Sequence, residues 1–249
     1  MNRRVMQLRD FLMMRSHLGW AHVLLSRARH LAGPNAGRIQ RALDGALNRM
    51  DQHTQRRAML FDATYGTETF GRHDVKTSED TGDTTTWGYS AINQDFFREI
   101  MRSVPRPLAE YTFVDVGSGK GAAVLMASEF GFRRLVGVEL AEELVRIAKL
   151  NTERFNRKTG KTIVPEWVQT DFFKWKIPSE PQLFFFNNPF PPDLTVKALA
   201  VLESSLASQP HSALLVFRKA SSAAGDYLHA SRFWKPLRLA PYWRVYSRA

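Results

Sequence analysis

The sequence predicts an α/β fold built on a mostly parallel sheet, with helices on both faces and a helical appendage at the N-terminus. Two observations carry this prediction. From Tyr111 onward, short apolar runs alternate with segments of helical periodicity, which is the pattern of strand–helix–strand crossovers. Before residue 60, two amphipathic stripes follow each other with no strand pattern between them, which indicates a separate helical unit.

The N-terminal unit, residues 1–60, is expected to contain two helices. One apolar stripe at helical spacing runs through residues 5–31, the sequence GPNAG at residues 33–37 interrupts it, and a second stripe follows over residues 39–50. Eleven arginines against three aspartates make this unit basic. Such a surface suits nucleic acid, an acidic protein or anionic lipid, and charge alone does not choose among them.

Residues 61–110 are expected to form an acidic, lid-like loop and a helix. The segment 62–88 has no amphipathic pattern and holds six acidic side chains against two basic ones. A loop of this length is either a functional lid or a disordered segment, and the sequence leaves both open. The helix after it has Ser90 or Asn93 as its N-cap and ends before Pro105.

Residues 111–249 carry the alternating pattern and form the third predicted unit. Strands are predicted at the apolar runs YTFVDVG, RLVGVEL, EWVQTDFF, QLFFFNN and SALLVFRK, and more weakly at residues 243–247. Helices are predicted at GAAVLMASEF, AEELVRIAKLNTERF and DLTVKALAVLESSLAS, and around residues 227–234.

The composition excludes several kinds of chemistry. The chain of 249 residues has no cysteine, which rules out disulfides, thiolate zinc sites and cysteine nucleophiles. Its seven histidines form no ligand cluster in the sequence, so no metal site is expected. No apolar run approaches the ~18 residues that a membrane span needs. We therefore expect a cytoplasmic protein, or a mitochondrial or nuclear one in a eukaryote.

The stretch FVDVGSGKGAA, residues 113–123, is the first candidate binding motif. Gly117, Gly119 and Ala122 satisfy the G-x-G-x-x-G/A spacing of a nucleotide-binding turn between a strand and a helix. Glu139 ends the next strand, 20 residues after Gly119, where a carboxylate can accept both hydroxyls of a ribose. These features fit NAD, FAD or S-adenosylmethionine (SAM).

Asp115 distinguishes among these ligands. It precedes Gly117 by two residues, at the turn where a dinucleotide would place its pyrophosphate. A carboxylate there repels a pyrophosphate but attracts the sulfonium and α-ammonium groups of SAM, which has no phosphate. We therefore expect SAM, and a nicotinamide-dependent dehydrogenase is disfavoured by Asp115 and by the lack of an evident acid–base histidine.

The motif series FVDVGSGKG, GVEL, DFF and NNPF resembles the SAM-binding motifs of class I methyltransferases over roughly residues 111–220. It is most similar to the non-SET histone lysine methyltransferases (the disruptor-of-telomeric-silencing family) and to related bacterial methyltransferases. The resemblance implies a Rossmann-like, seven-stranded sheet. WGYSAINQDFF, residues 87–97, also resembles the segment that closes over SAM in that family. Pro189 and Phe190 depart from the family's Asn-Asn-Phe-Ala-Phe motif, so the histone substrate does not carry over.

The resemblance implies roles for individual residues. Asp171 would hydrogen-bond the adenine amino group, and Phe172 would lie against the adenine ring. The implied cofactor site comprises Tyr89, Asp115, Gly117, Ser118, Gly119, Gly121, Glu139, Leu140, Asp171, Phe172 and Asn187. The substrate-facing, catalytic positions would be Asn187, Asn188, Pro189 and Phe190.

By the same resemblance, NNPF takes the place of the substrate-facing motif of N-methyltransferases, which favours a nitrogen nucleophile such as a protein lysine or another amine. The amide oxygen of Asn187 or Asn188, or the backbone carbonyl before Pro189, would accept a hydrogen bond from the nucleophile and orient its lone pair. Apolar walls would favour the neutral amine by desolvation, so no dedicated general base is expected. The candidate walls are Tyr89, Phe172, Phe173 and Phe190.

Two further functions remain open at the level of sequence. One is SAM-dependent methylation of a small-molecule hydroxyl or of nucleic acid, and the other is SAM binding without catalysis. If the acidic segment 62–88 folds over the site, its carboxylates would favour a cationic substrate and disfavour a nucleic acid. An amine-bearing substrate, as a protein or a small molecule, is therefore the expected partner.

Overall fold

A computed structural model describes residues 28, 37–71, 91–218, 221–240 and 242–249. Seven strands form one sheet in the order β3-β2-β1-β4-β5-β7-β6. The strands are β1 (Thr112–Val116), β2 (Arg134–Glu139), β3 (Glu166–Gln169), β4 (Gln182–Asn187), β5 (Ala213–Arg218), β6 (Trp234–Leu239) and β7 (Trp243–Arg248).

The sheet is parallel from β3 through β5 and ends in an antiparallel pair, because β7 runs antiparallel to β5 and β6 runs antiparallel to β7. After β1 the chain continues outward to β2 and β3, and it then returns to the other side of β1 to form β4 and β5. This reversal opens a crevice at the carboxyl ends of β1 and β4. The predicted fold class, a mostly parallel seven-stranded sheet of the Rossmann-like methyltransferase type, is confirmed.

Helices cover both faces of the sheet. Among the described residues they are α1 (Gly37–Tyr65), α2 (Gln94–Ser103), α3 (Ala122–Ala127), α4 (Glu142–Thr159), α5 (Pro192–Ala207) and α6 (Ser222–Ala230). Phe113 and Phe185 point to the face covered by α2 and α3, and Phe184 and Phe186 point to the face covered by α5. The central strands are buried on both faces, which explains why their sequences are continuous apolar runs.

Helix α1 extends further along the chain than predicted. It continues to Tyr65, beyond the boundary expected at residue 60, so the prediction that the loop begins at residue 62 is wrong. The Asp62 carboxylate ends the helix by accepting hydrogen bonds from the Thr67 hydroxyl and from the backbone N–H groups of Thr69 and Phe70, at 2.7–2.8 Å. The predicted first helix, apart from helical Ala28, and the acidic residues beyond Gly71 lie outside the described residues.

The C-terminal part contains one strand that the sequence pattern did not indicate. The helix expected over residues 227–234 instead spans Ser222–Ala230, where the Ser221 hydroxyl caps it by accepting from the Ala224 N–H. Trp234 then begins β6, an edge strand that contains Pro236 and has several exposed side chains. Proline and exposure weaken the strand signal, although both are tolerated at a sheet edge.

Within the described ranges, no helix is long and apolar enough to cross a membrane. In the same residues, His, Asp and Glu side chains form no group that could hold a metal ion.

Candidate cofactor and acceptor site

The glycine loop after β1 forms the floor of the crevice. Gly117, Gly119 and Gly121 have φ values of 70°, 53° and 86°, in the left-handed region that favours glycine. The N–H groups of Gly117 and Ser118 donate to the carbonyl oxygen of Val138 on β2, at 2.9 and 3.0 Å. The sequence therefore folds into a tight turn whose backbone is fixed to the neighbouring strand.

Glu139, at the end of β2, is held in the crevice by backbone donors. Its Oε2 accepts from the Gly119 N–H at 2.8 Å, and its Oε1 accepts from the Ala141 N–H at 3.0 Å. Burial raises the pKa of Glu139, and these N–H groups oppose that shift. Each carboxylate oxygen can accept a further hydrogen bond. Leu140 beside it is 56% exposed, which leaves an apolar surface at the rim.

Asp115 lies deeper in the crevice and is only 3% exposed. Its pKa is raised well above the ordinary aspartate value, first by burial and second by the negative charge of Glu139. Two carboxylates close enough to repel each other disfavour a pyrophosphate in the same place. A bound cation would offset both the free-energy cost of burying the Asp115 charge and its repulsion with Glu139.

The NNPF motif, residues 187–190, meets the glycine loop directly. A Cβ atom placed on Gly117 would lie 2.7 Å from the Cβ of Pro189. Asn188 has a φ of 57°, the only positive value among the described non-glycine residues. A left-handed residue at the carboxyl end of β4 is a form of local strain that recurs at functional sites.

Asn187 is engaged by a residue that the sequence analysis did not assign to the site. Arg218, at the end of β5, donates from Nη1 to the Asn187 Oδ1 at 2.6 Å. Arg218 therefore uses one of the two lone pairs of this oxygen, and the second can still accept from an amine nucleophile, as predicted. The sequence signal that marks Arg218 is a polar residue at the end of an apolar strand, in ALLVFR.

Asp171 and Phe172 follow β3, in a short 3-10 helix. The Asp171 Oδ1 caps this helix by accepting from the Phe173 N–H at 2.9 Å. Phe172 is only 5% exposed, and its ring packs on Phe186 and Phe190 with centroid distances of 6.0 and 5.8 Å. The ring therefore belongs to the core beneath the crevice, and the structure does not favour the predicted contact with adenine.

The predicted apolar walls are present in part. Phe190 packs on Phe173 with a centroid distance of 5.6 Å, and both side chains are half-buried. The Lys197 Nζ lies 5.0 Å from the centre of the Phe173 ring, so one side of this wall is covered by a cation. Tyr89 lies outside the described residues.

The segment that follows α1 is attached to the back of the glycine loop. Asn151 on α4 accepts from the Glu68 N–H at 2.7 Å and donates to the carbonyl oxygens of Glu68 and Lys120. The buried Lys120 Nζ donates to the Glu68 carboxylate at 3.1 Å. Of the six acidic residues of the predicted lid, Asp62 and Glu68 therefore make structural contacts.

A family model described as "Histone methylation protein DOT1" matches residues 81–188. The match contains the glycine loop, Glu139, Asp171 and both asparagines of NNPF. The chain is a SAM-dependent methyltransferase, and the matched segment is similar to the DOT1 family. The matched region is less than half of the chain and leaves out α1 and the last three strands. No curated protein matches this methyltransferase significantly in sequence.

Solved structures resemble the methyltransferase in fold. A predicted N6-adenine-specific DNA methylase from Listeria monocytogenes has 11% identity and a TM-score of 0.50, covering 66% of this chain and 53% of that one. An RNA methyltransferase from Salinibacter ruber, in complex with S-adenosyl-L-homocysteine, has 18% identity and a TM-score of 0.44, covering 64% of this chain and 92% of that one. Magnesium protoporphyrin IX methyltransferase from Synechocystis, with bound SAM, has 15% identity and a TM-score of 0.42, covering 63% of this chain and 79% of that one.

Three observations make the crevice of this methyltransferase chemically suited to SAM. Asp115 is a buried carboxylate with a raised pKa, which suits a cation. Glu139 is fixed by two N–H donors and can accept from ribose hydroxyls. The Ser118 Oγ is a buried polar atom of the glycine loop that has no hydrogen-bond partner among the described residues.

Proposed function

We propose that this methyltransferase transfers a methyl group from SAM to a nitrogen atom of an amine-bearing substrate, either a protein lysine or another amine. The observation that carries the proposal is the direct packing of Pro189 on Gly117. This contact puts the NNPF motif beside the end of β1, where Asp115 lies. Similarity to a family of histone methylation proteins supports an amine acceptor such as a protein lysine.

The proposed cofactor contacts follow the strand ends in order. Asp115 binds the cationic part of SAM, Glu139 accepts from the ribose hydroxyls, and Asp171 accepts from the adenine amino group. Gly117, Ser118, Gly119 and Gly121 supply the close backbone approach, and Leu140 supplies apolar contact. When bound, SAM supplies an electrophilic methyl group, and these residues fix its position in the crevice.

On the acceptor side, the chain has to hold a neutral amine in line with the methyl group. Orientation of this kind contributes about 7–11 kcal/mol to rate enhancement. A lysine with a pKa of ~10.4 costs about 4.6 kcal/mol to deprotonate at pH 7. The half-buried rings of Phe173 and Phe190 reduce this cost by desolvation. The acceptor of the amine N–H is the amide oxygen of Asn187, which Arg218 orients, the amide oxygen of Asn188, or the carbonyl before Pro189.

The test is transfer of labelled methyl from SAM to a cell lysate that is then fractionated into protein, nucleic acid and small molecules. We expect label on nitrogen in the protein or small-molecule fraction, identified by hydrolysis and analysis of methylated amines. Asn188→Ala should retain SAM binding and lose transfer, whereas the exposed Glu142→Ala should retain both. Label in nucleic acid would contradict a protein or small-molecule amine as the acceptor, and label on oxygen would contradict transfer to nitrogen. SAM binding without any transfer would indicate a non-catalytic module.

A further inference from the structure

Three polar side chains form a row on one face of the sheet. Phe185 on β4 lies opposite Asp115 on β1, and Asn187 lies opposite Arg218 on β5. Side chains two residues apart on a strand share a face, so Asp115, Asn187 and Arg218 all point to the side covered by α2. Neighbouring strands are about 4.8 Å apart, which places the strand of Arg218 about 10 Å from that of Asp115. The row therefore runs from an acid, through an amide, to a cation.

Among the residues that the structure describes, Arg218 has no acidic partner. Its guanidinium donates to Asn187 and lies 5.4 Å from the centre of the Phe96 ring on α2. Its Nε is buried and has no hydrogen-bond partner within the described part of the chain. None of the ion pairs between described side chains involves Arg218. Burial lowers the pKa of Arg218 to about 10, so the group stays charged at neutral pH.

A guanidinium in this position is costly to the free protein. A buried charge is stabilised when it is paired and hydrogen-bonded, and one amide oxygen satisfies only part of the five-donor guanidinium. The planar group matches a carboxylate or phosphate, which can accept two parallel hydrogen bonds from it. The amide of Asn187, with its oxygen turned to Arg218, is oriented by the same contact.

We propose that Arg218 is a specificity-determining residue that binds an anionic group, a carboxylate or a phosphate, carried by the methyl acceptor. This inference rests on the proposed function, because it places the acceptor amine over the asparagines between Asp115 and Arg218. The acceptor is then an amine with an acidic group within about one or two strand spacings of the reacting nitrogen. Amino acids, acidic peptides and phosphorylated amines belong to this class.

SAM also carries a carboxylate, which is the alternative ligand for Arg218. Asp115 and the glycine loop lie at β1 and β2, whereas Arg218 lies two strands away, beyond Asn187. This placement favours the acceptor. The two sources differ in one measurable property, because a residue that binds the cofactor carboxylate affects S-adenosylhomocysteine affinity and a residue that binds the acceptor does not.

The test uses pairs of amines that differ only in the anionic group. The full-length protein saturated with S-adenosylhomocysteine is titrated with L-lysine and cadaverine, and with phosphoethanolamine and ethanolamine, by calorimetry. We expect the anionic member of at least one pair to bind about 10- to 100-fold more tightly, as for a charge-assisted bidentate contact. Arg218→Met should abolish this preference, and Arg218→Lys should retain part of it. Arg134→Met removes the same charge at the amino-terminal end of β2, and it should leave the preference for the anionic amine unchanged.

Three results would overturn the inference. The first is equal or undetectable binding of both members of each pair by the unsubstituted protein, a result that does not depend on whether any variant folds. The second is a loss of S-adenosylhomocysteine affinity in Arg218→Met as large as the loss expected for the anionic amine, which would assign Arg218 to the cofactor. The third is an unchanged preference in Arg218→Met. Failure of the proposed function is a separate result, since it would appear as SAM binding without methyl transfer to any amine.

Discussion

At the scale of single residues, Asp115 combines a stability cost with a binding role. Its raised pKa means that the folded protein holds this proton more tightly than the unfolded chain does. The associated stability is present below the ordinary aspartate pKa of about 4 and is lost as pH rises through the higher folded value. At neutral pH the buried carboxyl group therefore contributes less stability to the ligand-free protein than it does below pH 4.

Asp115→Asn should raise the thermal stability of the ligand-free protein at pH 7–8, because it removes a buried charge and its repulsion with Glu139. The difference from the unsubstituted protein should shrink toward pH 4, where Asp115 is protonated. Thermal unfolding across this pH range, without ligand, measures it. A variant that is less stable than the unsubstituted protein at pH 8 would show that the carboxylate has a stabilising partner in the fold.

The contact between Gly117 and Pro189 predicts a specific effect of adding one methyl group. Gly117→Ala introduces strain at a φ of 70° and a collision with Pro189. Gly160→Ala is the matched control, because Gly160 has a φ of 68° and no atom near its absent Cβ. Both variants should lose about 1–2 kcal/mol of stability from backbone strain.

Only Gly117→Ala should also displace NNPF, lowering methyl transfer to the accepting lysate fraction at least tenfold. Thermal unfolding and initial rates of labelled transfer separate the two effects. Equal transfer rates in Gly117→Ala and Gly160→Ala would show that the packing of the two motifs does not matter for the reaction.

At the scale of elements, α4 links the glycine loop to the segment after α1. Asn151→Ala should release residues 66–71 and, through the Lys120 carbonyl, loosen the glycine loop. Asn156 is the control on the same helix, because its amide binds both backbone groups of Ile163 in the same manner, away from the crevice.

We expect both asparagine variants to lose about 1–3 kcal/mol of stability, because each leaves backbone groups without partners. Asn151→Ala should additionally weaken S-adenosylhomocysteine binding and speed hydrogen exchange at Glu68. If Asn156→Ala weakens ligand binding equally, the effect is one of general stability and the link through α4 is not specific.

The elements that the sequence predicted best are those with a strong local signal. Strands β4 and β5 are apolar runs that end in a polar residue, and β1 is a short buried run that leads into the glycine loop. Asn93, one of the two residues expected there, is the N-cap of α2. Strand β6 was missed because an exposed edge strand with Pro236 lacks such a run. The contact between Asn187 and Arg218 depends on which strands are neighbours, and strand order is not a local property of the sequence.

At the scale of the whole molecule, the order of the strands converts separate motifs into one site. Asp115 and Glu139 come from adjacent strands, and NNPF comes from the strand on the other side of β1. The sequence located these motifs individually. It did not show that Pro189 touches Gly117 or that Phe172 lies in the core, because both facts arise from packing between segments distant along the chain.

The raised pKa of Asp115 also couples cofactor binding to pH. A bound cation stabilises the ionised carboxylate, so SAM binding should release protons, and SAM affinity should rise with pH from about 4 up to the folded pKa of Asp115. Calorimetric titrations in two buffers with different ionisation enthalpies measure the protons released. Asp115→Asn should reduce that number, and an unchanged number would assign the released protons to another group.

The most direct test of the central claim, that this crevice binds SAM through strand-end carboxylates, is a calorimetric comparison of SAM, S-adenosylhomocysteine and NAD. We predict binding of the first two, no detectable binding of NAD, and about a 10- to 100-fold loss of SAM affinity in Glu139→Ala, the size expected for charge-assisted hydrogen bonds. Glu142→Ala should bind SAM like the unsubstituted protein. Binding of NAD in preference to SAM, or an unchanged SAM affinity in Glu139→Ala, would contradict the claim.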